Sequence, residues 1–275
     1  MNRASAWGWR AKKTLHASEQ GRADVAAARA AWRAELGAGM DPARLVFLDE
    51  TGVDTAMTPA HARAPRGQRA IGRVPGGHWK RLTILGALAA NGLVAAMTVA
   101  AATTTQVFLA FVEQVLLPAL RMRPGCLVVM DSLAPHKAAR VRAALDAAGI
   151  ARRYLPPYSP DLNPIEPAWS KLKGALRRAE ARSLAQLDAE LPRTLRTITA
   201  ADAQGWFRHA GYRSIRNAIR SRGRPPMALL LTWQAASAPG CGLLPAMRDG
   251  APATRVGRQG HAGHIPCPDA ATVQP

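Results

Sequence analysis

Three acidic side chains stand where rigid backbone could aim them at one point. Asp49 closes the apolar run Leu45-Val46-Phe47-Leu48, Asp131 closes Leu127-Val128-Val129-Met130, and Glu166 opens a helical segment after a proline-rich stretch. Unbroken apolar runs of this length are the pattern of strands covered on both faces, so their ends are fixed points in a fold. Carboxylates held there suit hard divalent cations, which take oxygen ligands. Two such ions, about 4 Å apart, activate a water or a 3′-hydroxyl and stabilise the leaving oxygen in phosphodiester cleavage, with no titrating base required. Asp49, Asp131 and Glu166 are therefore the candidate catalytic residues and metal ligands, and Glu50 is the fallback for the first.

Each acid also has a plain structural use. Asp49 or Glu50 would serve as the polar end of a strand, and Asp131 would cap the turn that follows it. Glu166 falls at the third helical position if Asn163 is the N-cap and Pro164 the first helical residue, which is where a capping-box glutamate belongs. A capping glutamate tolerates replacement by glutamine, whereas a metal ligand does not.

The elements that would position these acids follow from the patterning around them. Residues 24–36 carry Ala-rich helical patterning that ends at Gly37, and residues 45–48 form a short strand ending at Asp49-Glu50. A loop over 58–79, rich in Pro, Gly and Arg, comes next. Residues 82–112 contain no acid or base and are long enough to span a bilayer. Asn91-Gly92 in their midst instead signals a hairpin between strands at 82–89 and 93–99. Phe108, Leu109, Val112, Val115 and Leu116 recur at helical spacing within 106–120. Pro124-Gly125 breaks that helix, and a strand at 127–130, a helix at 136–148 and a strand at 152–155 follow.

Four prolines between 156 and 164 exclude helix and central strand there. Glu166 then starts a helix to about residue 178, with further helices at 183–197 and 200–208. This order predicts an α/β fold, a mixed β-sheet flanked by helices. It divides into a basic linker and helix over 1–40, a core over 41–217, and a basic Gly/Pro/Ala-rich tail over 218–275 whose lack of period reads as disorder.

Charge points to the partner. Lys and Arg total 37 against 18 Asp and Glu, a net +19, with a pI near 11.4. Such a bias suits a polyanion, nucleic acid first, and the planar Arg fork matches phosphate. High-GC coding bias gives the same Arg- and Ala-rich look without function. Cys126, Cys241 and Cys267 form no CxxC pair and leave an odd count, which suits a reducing compartment. No signal peptide or membrane helix is expected, and the location implied is cytoplasmic, at the nucleoid.

Three strings carry a resemblance. Leu45-Val46-Phe47-Leu48-Asp49-Glu50-Thr51-Gly52, Val129-Met130-Asp131-Ser132-Leu133-Ala134-Pro135-His136-Lys137, and Tyr154-Leu155-Pro156-Pro157-Tyr158-Ser159-Pro160-Asp161-Leu162-Asn163-Pro164-Ile165-Glu166 resemble the catalytic blocks of transposases of the insertion sequence 630 family, relatives of the mariner transposons. Asp131 and Glu166 are separated by 34 residues, a spacing familiar in that superfamily, and similarity extends over about residues 12–212. The resemblance implies an RNase H-like fold of the DDE type and two Mg²⁺ or Mn²⁺ ions on Asp49, Asp131 and Glu166. It also implies hydrolysis at transposon ends followed by strand transfer into target DNA at TA dinucleotides.

Because two ends must meet, a homodimer on DNA is expected. The family usually has Asn where this chain has Ser132, and its members carry a helix-turn-helix region before the core, near whose boundary this chain begins. The alternative reading is therefore an impaired, truncated remnant that only binds DNA. Candidate DNA contacts are Lys80 and Arg81 beside Trp79, His136 with Lys137, and Arg177 with Arg178 on the Glu166 helix.

Overall fold

A computed structural model describes residues 17–37, 40–59 and 61–212, and the backbone of 229–233. Six strands form one sheet: β1 (Leu45–Asp54), β2 (Arg81–Ala89), β3 (Gly92–Val99), β4 (Leu127–Met130), β5 (Ala151–Tyr154) and β6 (Leu229–Trp233), in the order β5-β4-β1-β2-β3-β6. β1, β2 and β3 are a meander of antiparallel neighbours. β4 runs parallel to β1 and β5 parallel to β4, so the sheet is mixed, as expected.

β1 is longer than its apolar run. It continues to Asp54 because it stays in register with β2 from Val46 opposite Ala89 to Asp54 opposite Arg81. Asp49 is thus a mid-strand residue, not a strand end. β4 is the short partner: its pairing to β1 stops at Phe47 opposite Val129. Continuing that register by two places sets Asp131 beside Asp49. The β2–β3 hairpin turns on Ala90 and Asn91, one residue earlier than the Asn-Gly reading. Gly92 opens β3 with φ of 123°, a backbone setting that favours glycine.

Helices cover both faces. α1 (Ala23–Gly37) precedes the sheet; α2 (Thr105–Phe111), a π-helical turn (Val112–Leu116) and α3 (Leu117–Leu120) make up the helix expected over 106–120. Pro118 has no N–H to return to the Gln114 carbonyl, and the widened turn is where the ladder adjusts. α4 (Ala139–Ala147) starts three residues later than expected, since His136 and Lys137 donate their N–H groups to Leu133 in a turn. α5 (Ile165–Ala179), α6 (Leu184–Leu195) and α7 (Ala200–His209) complete the set. On one face Phe47, Ile84 and Leu93 meet Ile165, Trp169, Leu172, Leu191 and Phe207. On the other Val46, Leu48 and Met97 meet Phe108, Val115, Leu116 and Leu145. Residues 45–48 are at most 1% exposed, which is the double coverage their unbroken apolar run required.

One strand lies inside the tail expected to be disordered. Leu229-Leu230-Leu231-Thr232-Trp233 pairs in parallel with β3, Ala95 opposite Leu229 through Val99 opposite Trp233. A β-prone apolar run is what an open sheet edge accepts, since its N–H and C=O groups otherwise lack partners. The rest of that tail, 218–228 and 234–275, lies outside the described residues, as does 1–16 of the basic linker. Among the described residues no helix is long and apolar enough to cross a membrane.

Candidate active site

Asp49, Asp131 and Glu166 line one cleft of about 440 Å³, together with Ser132 and the proline-rich loop from Leu155 to Pro160. The strand pair β1/β4 supplies the first two acids and the first turn of α5 the third. Asp131 makes the turn contact expected of it, accepting the Leu133 N–H at 3.1 Å. It also accepts a hydrogen bond from His136 Nδ1 at 2.5 Å, and His136 Nε2 reaches Glu50 Oε2 at 3.1 Å. His136 is fully buried, its ring 4.2 Å from that of Phe108. The expectation that it touches DNA is corrected: both ring nitrogens are engaged with acids, and no phosphate can reach them. Lys137, its neighbour, is exposed, with its ammonium 5.7 Å from the centre of the Tyr154 ring.

The capping box expected at Glu166 does not form. Pro164 (φ −63°, ψ −15°) is the N-cap of α5 and no side chain caps it. The Glu166 N–H bonds the Asn163 carbonyl at 3.2 Å instead. Asn163 is buried, with its side-chain oxygen lacking a hydrogen-bond partner. The Glu166 carboxylate is therefore left to the cleft.

The loop before it is held from outside. Arg29 on α1, 7% exposed, donates to Ser159 Oγ at 2.7 Å and to both carboxylate oxygens of Asp161 at 2.8 and 2.7 Å. Gln20 donates to the Tyr158 carbonyl, and Trp32 to the Tyr212 hydroxyl, which donates in turn to the Leu162 carbonyl. Tyr158 sits at φ of 53°, a costly setting for a bulky residue that such fastening sustains.

Electrostatics separates the three acids. Burial first, then the negative charges of Glu166, Asp131 and Glu50, push the Asp49 carboxyl up to about 8, against a backbone N–H at Glu50 that favours the anion. Burial likewise raises Glu166, with Lys173 opposing and Asp131 adding to the rise. Asp131 also feels burial, but the hydrogen bond and charge of His136 outweigh it and hold the acid below its ordinary value. His136 resists burial through its bonds to Asp131 and Glu50 and rises to about 9, so at neutral pH it is an imidazolium donating from both nitrogens.

A hard divalent cation fits this donor set. It would offset the cost of burying a charged Asp49 and the repulsion from Glu166 and Asp131 that adds to it, and give the orphaned Asn163 oxygen a neighbouring charge or bound water. Among the described residues no three acidic, His or Cys side chains already converge as a finished cage. The acids share the walls of a cleft, and ions would draw them together.

Comparison with known families decides the affiliation. The sequence model of the family described as DDE superfamily endonuclease matches residues 44–188, over half of the chain and spanning all three acids. The chain belongs to the DDE superfamily endonucleases.

Solved structures similar to this DDE endonuclease include the Mos1 transposase paired-end complex with left transposon end, at 18% identity and a TM-score of 0.62, covering 75% of this chain and 65% of that one. The Mos1 mariner paired end complex with Mn gives 16% and 0.59 over the same shares. The Mos1 transposase catalytic domain with Raltegravir and Mn gives 13% and 0.52, covering 71% of this chain and 91% of that domain. At these identities the likeness is one of fold, and the fold is RNase H-like. The DDE endonuclease chain spans 65% of the length of the longer Mos1 chains. No curated protein matches it.

The remaining candidates are scattered around the DDE site. Lys80 and Arg81 are exposed where β2 begins, beside Trp79 at 59% exposed. Arg177 and Arg178 lie at the far end of α5, about 17–18 Å along its axis from Glu166. The sequence reading passed over Trp169, whose indole N–H donates to Asp49 Oδ2 at 3.2 Å, and Lys173, whose charge acts on Glu166. Their spacing of three and seven from Glu166 puts them on its side of the helix, a signal that periodicity could have given.

Proposed function

We propose that this chain is the catalytic core of a DNA transposase that hydrolyses phosphodiester bonds at element ends and joins the freed 3′-hydroxyl to target DNA. What carries the reading is the meeting of Asp49, Asp131 and Glu166 in one cleft, inside the matched family segment. The Mos1 structures of the same fold, solved with a transposon end and with Mn, support it.

The three carboxylates would hold two Mg²⁺ or Mn²⁺ ions. When bound, such ions activate the attacking oxygen and stabilise the leaving one. The protein's own part is placement. His136 and the Leu133 N–H fix one face of Asp131, Trp169 fixes one oxygen of Asp49, and α5 carries Glu166 on a loop fastened by Arg29. Lys137 and Lys173, whose charges act on Asp131 and Glu166, bring positive charge to the cleft that is able to meet phosphates, while Lys80 and Arg81 stand farther off at the start of β2. Two ends must be brought together for joining, so the working form is a homodimer on DNA, at the nucleoid.

Nicking of supercoiled plasmid in Mg²⁺ or Mn²⁺ tests the assignment. Asp131→Asn should stay folded by circular dichroism yet cut at less than about one-thousandth of the wild-type rate, equivalent to about 4 kcal/mol of barrier. Cutting at the wild-type rate would remove Asp131 from the site.

A further inference from the structure

Asp49 and Glu166 come from elements far apart in sequence, and one side chain spans the gap between them. Trp169 follows Glu166 by three residues on α5 and is 2% exposed. Its Nε1–H donates to Asp49 Oδ2 at 3.2 Å. The rest of the ring lies over β2 at Gly86, which is the residue paired with Asp49 across the β1–β2 ladder. A Cβ on Gly86 would stand 2.4 Å from Cη2 and 2.9 Å from Cζ2 of the indole, closer than atoms can pack. Leu85 and Ala87 belong to the core on the opposite face, so glycine at 86 leaves a notch in the strand where the ring edge rests.

Packing alone does not ask for this arrangement. A smaller ring packed against a strand residue with a side chain would fill the same space, and a strand without the glycine is the stiffer one. The pair makes sense if the N–H is the point. Rotation of a carboxylate about its last bond is only broadly restricted, and a neutral donor on one oxygen fixes that rotation without adding a charge that would compete with a cation. The indole is rigid and has a single donor, so it also fixes how far the helix bearing Glu166 stands from Asp49.

We propose that Trp169, seated on Gly86, is a positioning residue that orients the Asp49 carboxylate and ties the Glu166 helix to it for divalent-cation binding. The proposal rests on the metal-site reading given above. Hydrogen-bond partners of this kind set metal affinity by roughly 10–100-fold.

Calorimetric titration of the full chain with Mn²⁺ tests it. Trp169→Phe keeps an aromatic side chain but removes the N–H and the part of the indole seated on Gly86; it should weaken Mn²⁺ binding by roughly 10–100-fold in a folded protein. Gly86→Ala, which evicts the ring, should weaken it in the same direction. The double variant should bind no worse than the weaker single one, because both act through one contact. Trp169→Phe binding within about twofold of wild type, whatever its melting temperature, overturns the positioning role and leaves the metal site standing.

Wild-type protein that binds no Mn²⁺, or whose binding survives Asp49→Asn, sinks the metal site and the positioning role of Trp169 together. Should the variants fail to fold, the indole N–H resonances of the wild type in a Mg²⁺ titration decide. One of them must shift with the binding isotherm, and a titration in which none moves overturns the positioning role.

Discussion

Asp49 and Glu50 are adjacent in β1, and the pleat sends them to opposite faces of the sheet. The two faces treat negative charge differently. Asp49 looks toward α5, where its close partner is a neutral indole N–H and its carboxyl is driven up to about 8. Glu50 looks toward the side of α2, where a buried imidazolium donates to it and to Asp131 at once. Compensation is built into one face and left open on the other. Asp131 joins them, since it lines the open cleft while bonded to the closed side. The open face is the one where an added cation has most to neutralise, and the closed face is the one that keeps its geometry whether or not ions are bound.

Removing the built-in compensation should have the largest effect on stability. In His136→Ala, Asp131 and Glu50 face each other across the space the ring filled. The expected loss is about 2–4 kcal/mol, short of the cost in a fully buried pair because Asp131 stays partly open to solvent. Urea denaturation measures it, and His136→Gln, which keeps one donor, should recover part. A loss under about 1 kcal/mol would mean that the closed face does not depend on its imidazolium.

How much of this was legible in the sequence differs between the same two faces. The strands under Asp49 and Asp131 announce themselves through four consecutive apolar residues, and the mixed α/β order follows from the elements between them. β1 beyond Asp49 does not, because Thr51 and Asp54 interrupt the apolar pattern and only the ladder to β2 holds them extended. His136 reads locally as part of a turn. Its burial is decided by Phe108 and Glu50, 28 and 86 residues away. The Gly86–Trp169 seat and the Arg29–Asp161 clamp are long-range in the same way and leave no local signature. Asn163 and Glu166 have the spacing of a capping box, yet Pro164 takes the cap and the motif goes unused. Leu229-Leu230-Leu231 was readable as a strand, but the Pro- and Gly-rich sequence around it set the expectation.

The open face should show itself in the pH dependence of the metal-free protein. Asp49 has an ordinary value of 3.8 and a folded value of about 8, so the folded state holds its proton more tightly and stability falls as pH rises between those values. His136, raised from 6.5 to about 9, contributes stability that is complete below 6.5 and lost as pH rises through 9. Both slopes are downward, in staggered windows. Asp49→Asn should remove the first and keep the second, flattening stability between about pH 5 and pH 7 by roughly 1–2 kcal/mol. Saturating Mn²⁺ should flatten the wild type likewise, since a cation takes the place of the proton. Profiles of wild type and Asp49→Asn that run parallel over this range would show that the open face is not short of positive charge.

The smallest effect concerns how an acidic cleft admits a polyanion. Two lysines on α5 make the contrast. Lys171 is committed to Asp202 Oδ2 at 2.6 Å and to the Thr197 carbonyl, bracing α5 against α7, while the charge of Lys173 is felt at Glu166 on the open face. If Lys173 meets a phosphate at the cleft, Lys173→Gln should lower the slope of log affinity for DNA against log salt by about 0.9, the value of one neutralised phosphate. Lys171→Gln should leave that slope unchanged and lower the melting temperature instead, because its charge is already spoken for inside the fold. Fluorescence anisotropy with a labelled duplex over a range of salt concentrations separates the two. Equal slopes for both variants would place DNA away from this side of α5, and the open face would then be short of positive charge for the sake of metal ions alone.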